Sequence, residues 1–472
     1  MTIKFGTDGW RAVIADEFTF ENVGICAQGV ANYIKEIGSS DQGLMVGYDT
    51  RFASKDFAVC VAEVFAGNGM RALLCDRAAP TPVVSYNVLV HATAGAAVIT
   101  ASHNPPQWNG FKFKPDYGGS ASPEIVVQLE EHIARISKKG VSSLPLSQAM
   151  SQGLIREVDP TPPYLEQIKR LADLDAIKKS GLNIVVDVMH GAGAGYLPTL
   201  LQGAKGSITE IRGEVNPAFP GMHQPEPIAE NLTLLSKLVV KNKADVGIAY
   251  DGDADRLGII DEKGQYLNTL QVFALLALYL LDVKGDRGPL VKSLTSSDML
   301  FKLGELYDVP VLETGVGFKY TGPLMIKENA LIGGEESGGY GFRGHIPERD
   351  GVLSSLFLLE FMVRKEMRPS ELLKYLYSKV GEWHYSRRDV PFNAAKRTGL
   401  QQKLDDSSTV KEIAGMKVTS TDTTEGRRFR FDKGWLIVRF SGTEPLVRVY
   451  AEADTPKRVE SLMDGAAALL GI

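Results

Sequence analysis

The chain has 472 residues, of which 44% are hydrophobic and 23% are charged, and its formal net charge is −5. A chain of this length predicts about three to four domains, and the composition is that of a soluble globular protein. A slightly acidic balance without a basic patch excludes nucleic acids and anionic membrane surfaces as expected partners.

Features that would direct the chain out of the cell or into a membrane are missing from the sequence. The three cysteines, Cys26, Cys60 and Cys75, have no metal-like spacing and indicate a reducing compartment. No secretory apolar segment follows Met1, and the longest apolar run, 275–281, is too short to span a bilayer. We therefore expect a cytoplasmic protein, a monomer or a homodimer, whose partners are small molecules.

The first predicted domain, 1–142, alternates helical and strand patterns. Apolar runs predict strands, and apolar residues at helical spacing predict helices. This alternation is typical of a parallel sheet covered on both faces. The predicted strands are 44–49, 71–75 and 96–99, and the predicted helices are 20–37, 54–68, 82–90 and 124–137. The segment 142–151 is rich in Ser, Pro and Gln and predicts a linker.

The second and third predicted domains, 155–258 and 259–368, continue this alternation. In the second, the predicted strands are 182–187 and 245–250, and a helix begins at 198–201. In the third, the predicted helices are 270–281, 295–306 and 351–365, and the predicted strands are 290–292 and 331–333. In each of the first three domains a strand runs into a polar loop that contains glycine. Ligands bind at the carboxyl ends of strands in open α/β sheets, so these loops are candidate site segments.

The fourth predicted domain, 378–472, has a different pattern. Apolar and polar residues alternate over 435–440 and 447–452, and a helix is predicted over 457–470. This pattern predicts a smaller α+β domain with an antiparallel sheet. The expected fold is therefore three tandem α/β domains with mixed, mainly parallel sheets, followed by a smaller C-terminal α+β domain, around a central cleft.

A candidate nucleophile follows the strand 96–99, in the octapeptide Val-Ile-Thr-Ala-Ser-His-Asn-Pro (98–105). A Ser-His-Asp hydrolase is disfavoured on two grounds. Neighbouring side chains of an extended segment point to opposite faces, so we expect His103 to be poorly placed to accept the Ser102 proton. The Gly-x-Ser-x-Gly pattern is also missing here. From this octapeptide alone, an ordinary surface turn remains the alternative interpretation.

A candidate metal site follows the strand 245–250. Asp251, Asp253 and Asp255 alternate directly after it, and three carboxylates so close together repel one another unless a cation binds them. Oxygen ligands suit Mg²⁺. A calcium-binding EF-hand is disfavoured because Arg256 stands where that loop needs glycine and the flanking sequence is strand-like.

Two further loops carry candidate ligand-binding groups. Glu335, Glu336 and Ser337 lie among glycines, where their side chains have open access to sugar hydroxyls. The segment Arg-Phe-Ser-Gly-Thr (439–443), followed by Arg448, offers guanidinium, hydroxyl and backbone donors to a phosphate. An acidic turn and a β-turn, respectively, remain the alternative interpretations.

Taken together, these motifs resemble those of the α-D-phosphohexomutases, the phosphoglucomutase/phosphomannomutase superfamily. The resemblance rests on Phe-Gly-Thr-Asp-Gly (5–9), on Thr-Ala-Ser-His-Asn-Pro with Asn-Gly-Phe-Lys, on Asp-Gly-Asp-x-Asp-Arg, on Gly-Glu-x-Ser-Gly and on the last phosphate-type loop. The motifs occur in the family's order between residues 6 and 450, so the resemblance covers essentially the whole chain.

The resemblance implies that Ser102 carries a phosphoryl group and exchanges it with a hexose phosphate through a hexose 1,6-bisphosphate. For a glucose substrate, glucose 1,6-bisphosphate is the intermediate and activator. The remaining site residues follow from the same resemblance. Mg²⁺ would be held by Asp251, Asp253, Asp255 and Ser102. Lys112, with His103 nearby, would act as general acid/base, and Arg11 and Arg256 would face or support phosphate. The sugar would be bound by Glu335, Ser337 and Lys319, and the other phosphate would be held by Arg439, Ser441, Gly442, Thr443 and Arg448.

The preferred sugar is predicted from two positions. Dual-specificity mutases of this superfamily often carry histidine where this chain has Phe318 and Gly339, so the chain is more similar to the glucose-type enzymes. We therefore expect a phosphoglucomutase. Alternatives left open are a phosphomannomutase or dual-specificity enzyme, a phosphoglucosamine mutase, a glucose 1,6-bisphosphate synthase, a phosphatase and a non-catalytic sugar-phosphate sensor.

Overall fold

In the computed structural model, which describes residues 3–6, 8–136, 140–440 and 445–471, the first domain is built on a six-stranded sheet. Its strands are β1 (Trp10–Val13), β2 (Leu44–Tyr48), β3 (Ala72–Cys75), β4 (Gly95–Ile99), β5 (Trp108–Pro115) and β6 (Ile155–Val158), in the order β1-β5-β4-β2-β3-β6. Strands β2, β3, β4 and β6 are parallel, and β5 pairs antiparallel with β4 and β1. The helices are α1 (Phe20–Glu36), α2 (Ser54–Gly67), α3 (Thr81–His91), α4 (Pro123–Arg135) and α5 (Leu146–Ser151).

The prediction that 142–151 is a linker is wrong, because this segment contains α5 and leads into β6, which extends the first sheet. The backbone N–H of Leu146 donates to the Glu63 carboxylate at 2.7 Å, and that of Leu144 donates to the Glu63 carbonyl at 2.9 Å. Leu144 and Leu146 pack against the core. Contacts with α2 therefore order a segment whose local composition is typical of a loop.

The second domain has a five-stranded sheet in the order β11-β10-β9-β7-β8. Its elements are α6 (Thr161–Leu171), α7 (Leu174–Ser180), β7 (Ile184–Asp187), α8 (Tyr196–Leu200), β8 (Ile208–Ile211), α9 (Thr233–Asn242), β9 (Val246–Tyr250), β10 (Leu257–Asp261) and β11 (Tyr266–Leu267). The metal-type loop lies between β9 and β10, which pair antiparallel. Strands β10 and β11 therefore carry this sheet to residue 267, beyond the predicted boundary at 258.

The third domain has a four-stranded sheet in the order β13-β12-β14-β15. Its elements are α10 (Thr269–Leu278), which continues as a π-helical turn over Tyr279–Val283, then β12 (Leu290–Ser293), α11 (Met299–Tyr307), β13 (Val311–Thr314), α12 (Phe318–Lys327), β14 (Ile332–Gly334), β15 (Tyr340–Phe342), α13 (Gly351–Lys365) and α14 (Pro369–Val380). Helix α11 begins four residues later than predicted. Serine and threonine side chains compete with the helical backbone, and here Ser297 Oγ accepts the Met299 N–H at 2.9 Å.

The fourth domain has an antiparallel five-stranded sheet, as predicted, in the order β16-β22-β21-β20-β19. Its elements are β16 (His384–Pro391), α15 (Arg397–Asp406), β17 (Glu412–Ile413), β18 (Met416–Lys417), β19 (Ser420–Asp422), β20 (Arg427–Phe431), β21 (Gly434–Phe440), β22 (Leu446–Ala453) and α16 (Pro456–Leu470). The domain has an apolar core of its own, whereas one continuous core runs through the first three domains. Across the described part of the chain, no helix is both long and apolar enough to cross a membrane.

Candidate active site

Ser102 lies in a turn at the carboxyl end of β4, in the left-handed region with φ of 54°. The Arg51 guanidinium holds this turn: Nη2 donates to the carbonyl oxygens of Ser102 and Asn104, each at 2.6 Å. The Ser102 N–H donates to Thr100 Oγ1 at 2.8 Å, and its hydroxyl donates to Asp251 Oδ2 at 2.8 Å. The turn therefore aims the candidate nucleophile at the carboxylate loop of the second domain.

The expectation that His103 is poorly placed beside Ser102 is wrong. The expectation assumed extended backbone, but the left-handed conformation of Ser102 brings the two side chains to one side. His103 Nδ1 lies 3.3 Å from Ser102 Oγ. Burial lowers the pKa of His103 well below its usual value, and the cations of Arg256, Arg11 and Arg51 lower it further. His103 is thus a neutral imidazole within reach of the serine oxygen.

Asp251, Asp253 and Asp255 converge, with one carboxylate oxygen from each lying within 4.8 Å of the others. All three are buried, and Oδ1 of Asp253 and Oδ1 of Asp255 have no hydrogen-bond partner. Burial and the charges of its two neighbours raise the pKa of Asp251 well above its usual value. Buried carboxylates that repel one another, two of them with an oxygen that has no partner, are a donor set that suits a divalent cation such as Mg²⁺.

Close approach of backbone fixes the carboxylate loop against the serine turn. A Cβ on Gly252 would lie 2.4 Å from the Ser102 carbonyl oxygen, so only glycine allows this contact. On its other side, Thr81 at the start of α3 donates its hydroxyl to Asp253 Oδ2 at 2.5 Å. The first and second domains therefore meet at the site itself.

Lys112 projects from β5 into the same cluster. Its Nζ lies 2.8 Å from Asp8 Oδ2, 2.8 Å from Asp253 Oδ2 and 3.2 Å from Asp255 Oδ2. Burial on its own would lower the pKa of Lys112, but the Asp253 charge and its neighbours outweigh burial and raise that pKa. The same ion pair lowers the pKa of Asp253 against the effect of burial. Lys112 is therefore held as an ammonium ion.

Two residues of this cluster were missed in the sequence. Arg349 Nη2 donates to Asp8 Oδ2 at 2.5 Å and lies 2.9 Å from Asp255 Oδ2, while Nη1 lies 3.8 Å from Glu335 Oε2. The available signals were the charged run 348–350 before α13 and Asp8 within the Gly-Thr-Asp-Gly turn. Neither signal indicates a contact between residues 341 positions apart. Arg349 links the carboxylate loop to the glycine-rich loop of the third domain.

The predicted sugar-binding residues lie on the third domain. Glu335 Oε1 accepts the Gly317 N–H at 2.9 Å. Burial raises the pKa of Glu335 to about 7. Ser337 is half-buried in the same loop, and Lys319 Nζ reaches across to the first domain, where it donates to the Gly6 carbonyl at 3.1 Å.

The two positions from which the preferred sugar is predicted, 318 and 339, lie in different surroundings. The Phe318 ring is buried in the core of the third domain, with the Arg349 guanidinium 5.5 Å from its centroid. A Cβ on Gly339 would lie 2.3 Å from Arg349 Cδ, so Arg349 fills the space that any larger residue would need. A histidine at position 339 is incompatible with this arrangement.

The remaining predicted arginines are also located. Arg11 Nη1 donates to Asn104 Oδ1 of the serine turn at 2.6 Å, and Arg256 Nη1 donates to Glu226 Oε1 at 2.8 Å. Arg439 and Arg448 lie directly opposite each other on β21 and β22. The predicted phosphate ligands Ser441, Gly442 and Thr443 lie outside the described residues.

Comparison with known proteins identifies the family. The four domain models of the phosphoglucomutase/phosphomannomutase family match in order: alpha/beta/alpha domain I over residues 2–140, domain II over 162–264, domain III over 268–380 and the C-terminal domain over 400–469.

Individual proteins of this family align along nearly their whole length. The chain is 31% identical to a phosphoglucomutase/phosphomannomutase of Thermococcus kodakarensis, over 98% of this chain and 96% of that protein. It is 30% identical to a phosphoglucosamine mutase of Carboxydothermus hydrogenoformans, over 99% of this chain and 98% of that protein. The crystal structure of a candidate phosphomannomutase from Thermus thermophilus is 34% identical, covers 100% of both chains and superposes with a TM-score of 0.87. The chain therefore belongs to the phosphoglucomutase/phosphomannomutase family of phosphohexomutases, which are phosphotransferases of the isomerase class.

Proposed function

We propose that this phosphohexomutase is a phosphoglucomutase that interconverts glucose 1-phosphate and glucose 6-phosphate through phospho-Ser102 and glucose 1,6-bisphosphate. The observation that carries the proposal is the hydrogen bond from the Ser102 hydroxyl to Asp251 within a buried triad of carboxylates. With a divalent cation held by these carboxylates, a serine at this position would have a positive charge beside its oxygen to stabilise a phosphoryl group.

The proposed reaction has two transfers. In the first, the O6 hydroxyl of glucose 1-phosphate attacks the phosphorus of phospho-Ser102, a new P–O6 bond forms and the P–Oγ bond breaks. The sugar hydroxyl loses its proton and Ser102 Oγ gains one, so glucose 1,6-bisphosphate and free serine result. In the second, Ser102 Oγ attacks the phosphorus of the C1 phosphate, a new P–Oγ bond forms and the P–O1 bond breaks. Ser102 loses its proton and the sugar O1 gains one, so glucose 6-phosphate and phospho-Ser102 result.

The residues of the site have separate parts in this scheme. Neutral His103, with Nδ1 at 3.3 Å from Ser102 Oγ, is placed to exchange a proton with that oxygen. Lys112 supports the carboxylates as a fixed cation, and its three ion pairs disfavour proton release from it. Asp251, Asp253 and Asp255 would hold Mg²⁺, which supplies positive charge to the phosphoryl oxygens when bound.

Binding of the sugar is proposed to involve Glu335, Ser337 and Lys319, and binding of the non-reacting phosphate to involve Arg439 and Arg448. Arginines offer bidentate donors to phosphate, and Arg439 and Arg448 present two guanidinium groups from adjacent strands. The glucose preference is supported by Phe318 and Gly339, since Arg349 leaves no room at position 339 for a histidine.

The test compares glucose 1-phosphate, mannose 1-phosphate and glucosamine 1-phosphate as substrates, each with Mg²⁺ and the matching 1,6-bisphosphate as activator. We expect glucose 6-phosphate to form with a kcat/KM about tenfold or more above that for mannose, the range available to a few sugar contacts. Ser102→Ala is the control and should lose nearly all transfer, because the phosphoryl acceptor is gone.

Other outcomes would change the proposal in defined ways. Comparable rates with mannose would indicate a dual-specificity enzyme, and a preference for glucosamine would indicate a phosphoglucosamine mutase. Accumulated free bisphosphate would indicate a synthase, and released inorganic phosphate a phosphatase. Full activity in Ser102→Ala would exclude Ser102 as the phosphoryl carrier.

A further inference from the structure

Arg439 lies close to a carboxylate of its own domain. Glu425, in the turn between β19 and β20, places Oε2 at 3.2 Å from Arg439 Nε, and both side chains are about one-fifth exposed. The turn is shaped for this contact. Gly426 has φ of 83°, and a Cβ there would lie 2.3 Å from the Val438 carbonyl oxygen. Glycine at position 426 therefore lets the turn lie close enough to β21 for Glu425 to contact Arg439.

The second oxygen of Glu425 contacts the third domain. Oε1 accepts the Val316 N–H at 3.2 Å, and a Cβ on Gly315 would lie 3.0 Å from the same oxygen. The next N–H in this loop, that of Gly317, donates to Glu335. One carboxylate thus joins an arginine of the fourth domain to the loop that holds the proposed sugar-binding glutamate.

The charges around Arg439 favour an anion at this place. Arg439 and Arg448 are directly opposite across β21 and β22, and like charges in that position repel each other. Asp389, opposite Arg448 on β16, is held by Arg387 through bonds of 2.8 and 2.7 Å and lies 3.8 Å from Arg448 Nε. Glu425 is accordingly the carboxylate nearest to Arg439 among the contacts that the structure describes.

We propose that Glu425 is a positioning residue that competes with the substrate phosphate for Arg439, so that it limits phosphate affinity and speeds phosphate release. This inference rests on the proposed function, which makes Arg439 a ligand of the non-reacting phosphate. A phosphate that pairs with Arg439 Nε has to take the place beside this atom that Oε2 of Glu425 occupies in the ion pair. Displacement also weakens the contact with Val316, so phosphate binding alters a contact between the third and fourth domains.

Such competition suits this reaction. The bisphosphate has to present first one phosphate and then the other to Ser102, so the phosphate at Arg439 must leave once in every cycle. A carboxylate that replaces the departing phosphate leaves no unpaired guanidinium behind. Tight phosphate binding without this competitor would lower KM and slow the exchange of the two ends.

The test is Glu425→Gln in the full-length protein. The amide oxygen of glutamine still accepts the Val316 N–H, but the negative charge beside Arg439 is lost. We expect the dissociation constant of inorganic phosphate, measured by calorimetry, to fall about threefold to fivefold, the range of a partly exposed ion pair. The KM for glucose 1-phosphate and kcat should both fall. Glu412→Gln, an exposed carboxylate on β17, is the matched control and should leave all three values unchanged.

A double-mutant cycle separates competition from a structural effect. In an Arg439→Gln background, Glu425→Gln should no longer change phosphate affinity, because its target is gone. Glu425→Ala, which also loses the Val316 contact, tests the structural alternative. The proposal is overturned if Glu425→Gln leaves phosphate affinity unchanged or weakens it, or if its effect persists without Arg439. Failure of the wild-type protein to isomerise any hexose phosphate would instead refute the proposed function, and the phosphate titrations would still be readable.

Discussion

At the site, the charge state of each ionisable side chain depends on the charged groups that surround it. Asp8, Asp253 and Asp255 surround Lys112, and Arg349 pairs with two of the same carboxylates. An unpaired buried charge is costly, so each member of this cluster depends on the others. Two carboxylate oxygens, Oδ1 of Asp253 and Oδ1 of Asp255, are still without partners, and these are the atoms that a bound cation would satisfy.

Glu335 gives a pH dependence whose sign follows from its surroundings. Burial raises its pKa to about 7, so the carboxyl is mostly protonated at pH 6 and mostly ionised at pH 8. The ionised form is the better acceptor for a sugar hydroxyl. We therefore expect kcat/KM for glucose 1-phosphate to rise between pH 6 and pH 8, in a pH–rate profile measured at constant ionic strength.

The substrate phosphate also titrates in this range, with a pKa of about 6, so a control is needed. The side chain in Glu335→Gln cannot ionise, so the pH dependence of kcat/KM in this variant should come only from ionisation of the substrate phosphate. Its activity should be lower than wild type at pH 8, with a smaller difference at pH 6. If kcat/KM of Glu335→Gln rises near pH 7 as it does in the wild type, a group other than Glu335 titrates there.

At the level of secondary-structure elements, one strand of each of the first three domains ends at the site. Ser102 follows β4, Asp251 follows β9 and Glu335 follows β14. Helix α13 then fixes the carboxylate loop from the other side. Its N-cap, Asp350, accepts the Leu353 N–H at 2.9 Å, and the Gly351 N–H donates to the Ala254 carbonyl at 3.0 Å. The start of this helix is therefore part of the support of the metal-type loop.

Gly351→Ala tests this support. A Cβ at Gly351 would lie 2.6 Å from the Arg256 carbonyl oxygen and 2.9 Å from that of Ala254. We expect the displaced loop to bind Mg²⁺ about tenfold or more weakly, as for other changes behind metal ligands. Calorimetric titration with Mg²⁺ measures this effect.

The matched control is Gly399→Ala in α15, where a Cβ would meet nothing within 4 Å. Alanine in an open helical position should raise stability by about 0.5–1 kcal/mol and leave Mg²⁺ affinity unchanged. Equal Mg²⁺ affinity in Gly351→Ala and wild type would show that α13 does not position the loop.

The two largest apolar clusters of the described residues differ in extent. The core shared by the first three domains surrounds the carboxylate loop, and the fourth domain has its own core. Ion pairs join the third and fourth domains, including those of Arg428 and Arg430 with Glu313 at 2.8 and 2.9 Å. A small apolar cluster of Leu294, Trp435, Ile437 and Tyr450 lies between the same domains. The fourth domain is thus the part most nearly independent of the rest.

This division predicts two transitions in thermal unfolding followed by calorimetry. Mg²⁺ at about 100 times its dissociation constant should stabilise the part that binds it by about 2.7 kcal/mol. Because the proposed ligands are Asp251, Asp253 and Asp255, only the transition of the first three domains should move upward, and a chelator should reverse the shift. A single transition, or a shift of both by Mg²⁺, would contradict this division.

Much of the architecture is predictable from local sequence. Strand β2 is buried at every position, and such apolar runs are readable without a structure. The sequence predicts helix α13 with the bounds that the structure has, because Asp350 and the apolar pattern mark its start and its length. The motifs of the candidate site are also visible, because residue types suited to binding metal, sugar and phosphate occur there in short, contiguous runs.

Other features depend on contacts between distant parts of the chain. Helix α5 exists because it packs on α2, and the left-handed backbone of Ser102 is held by Arg51 and brings His103 beside the hydroxyl. The partners of Lys112 and Arg349 come from three domains, so neither the fixed charge of Lys112 nor the glycine requirement at position 339 is readable locally. Sequence patterns report which groups are present and in which elements they lie. Their protonation and their partners are set by burial and by charges that only the folded chain brings together.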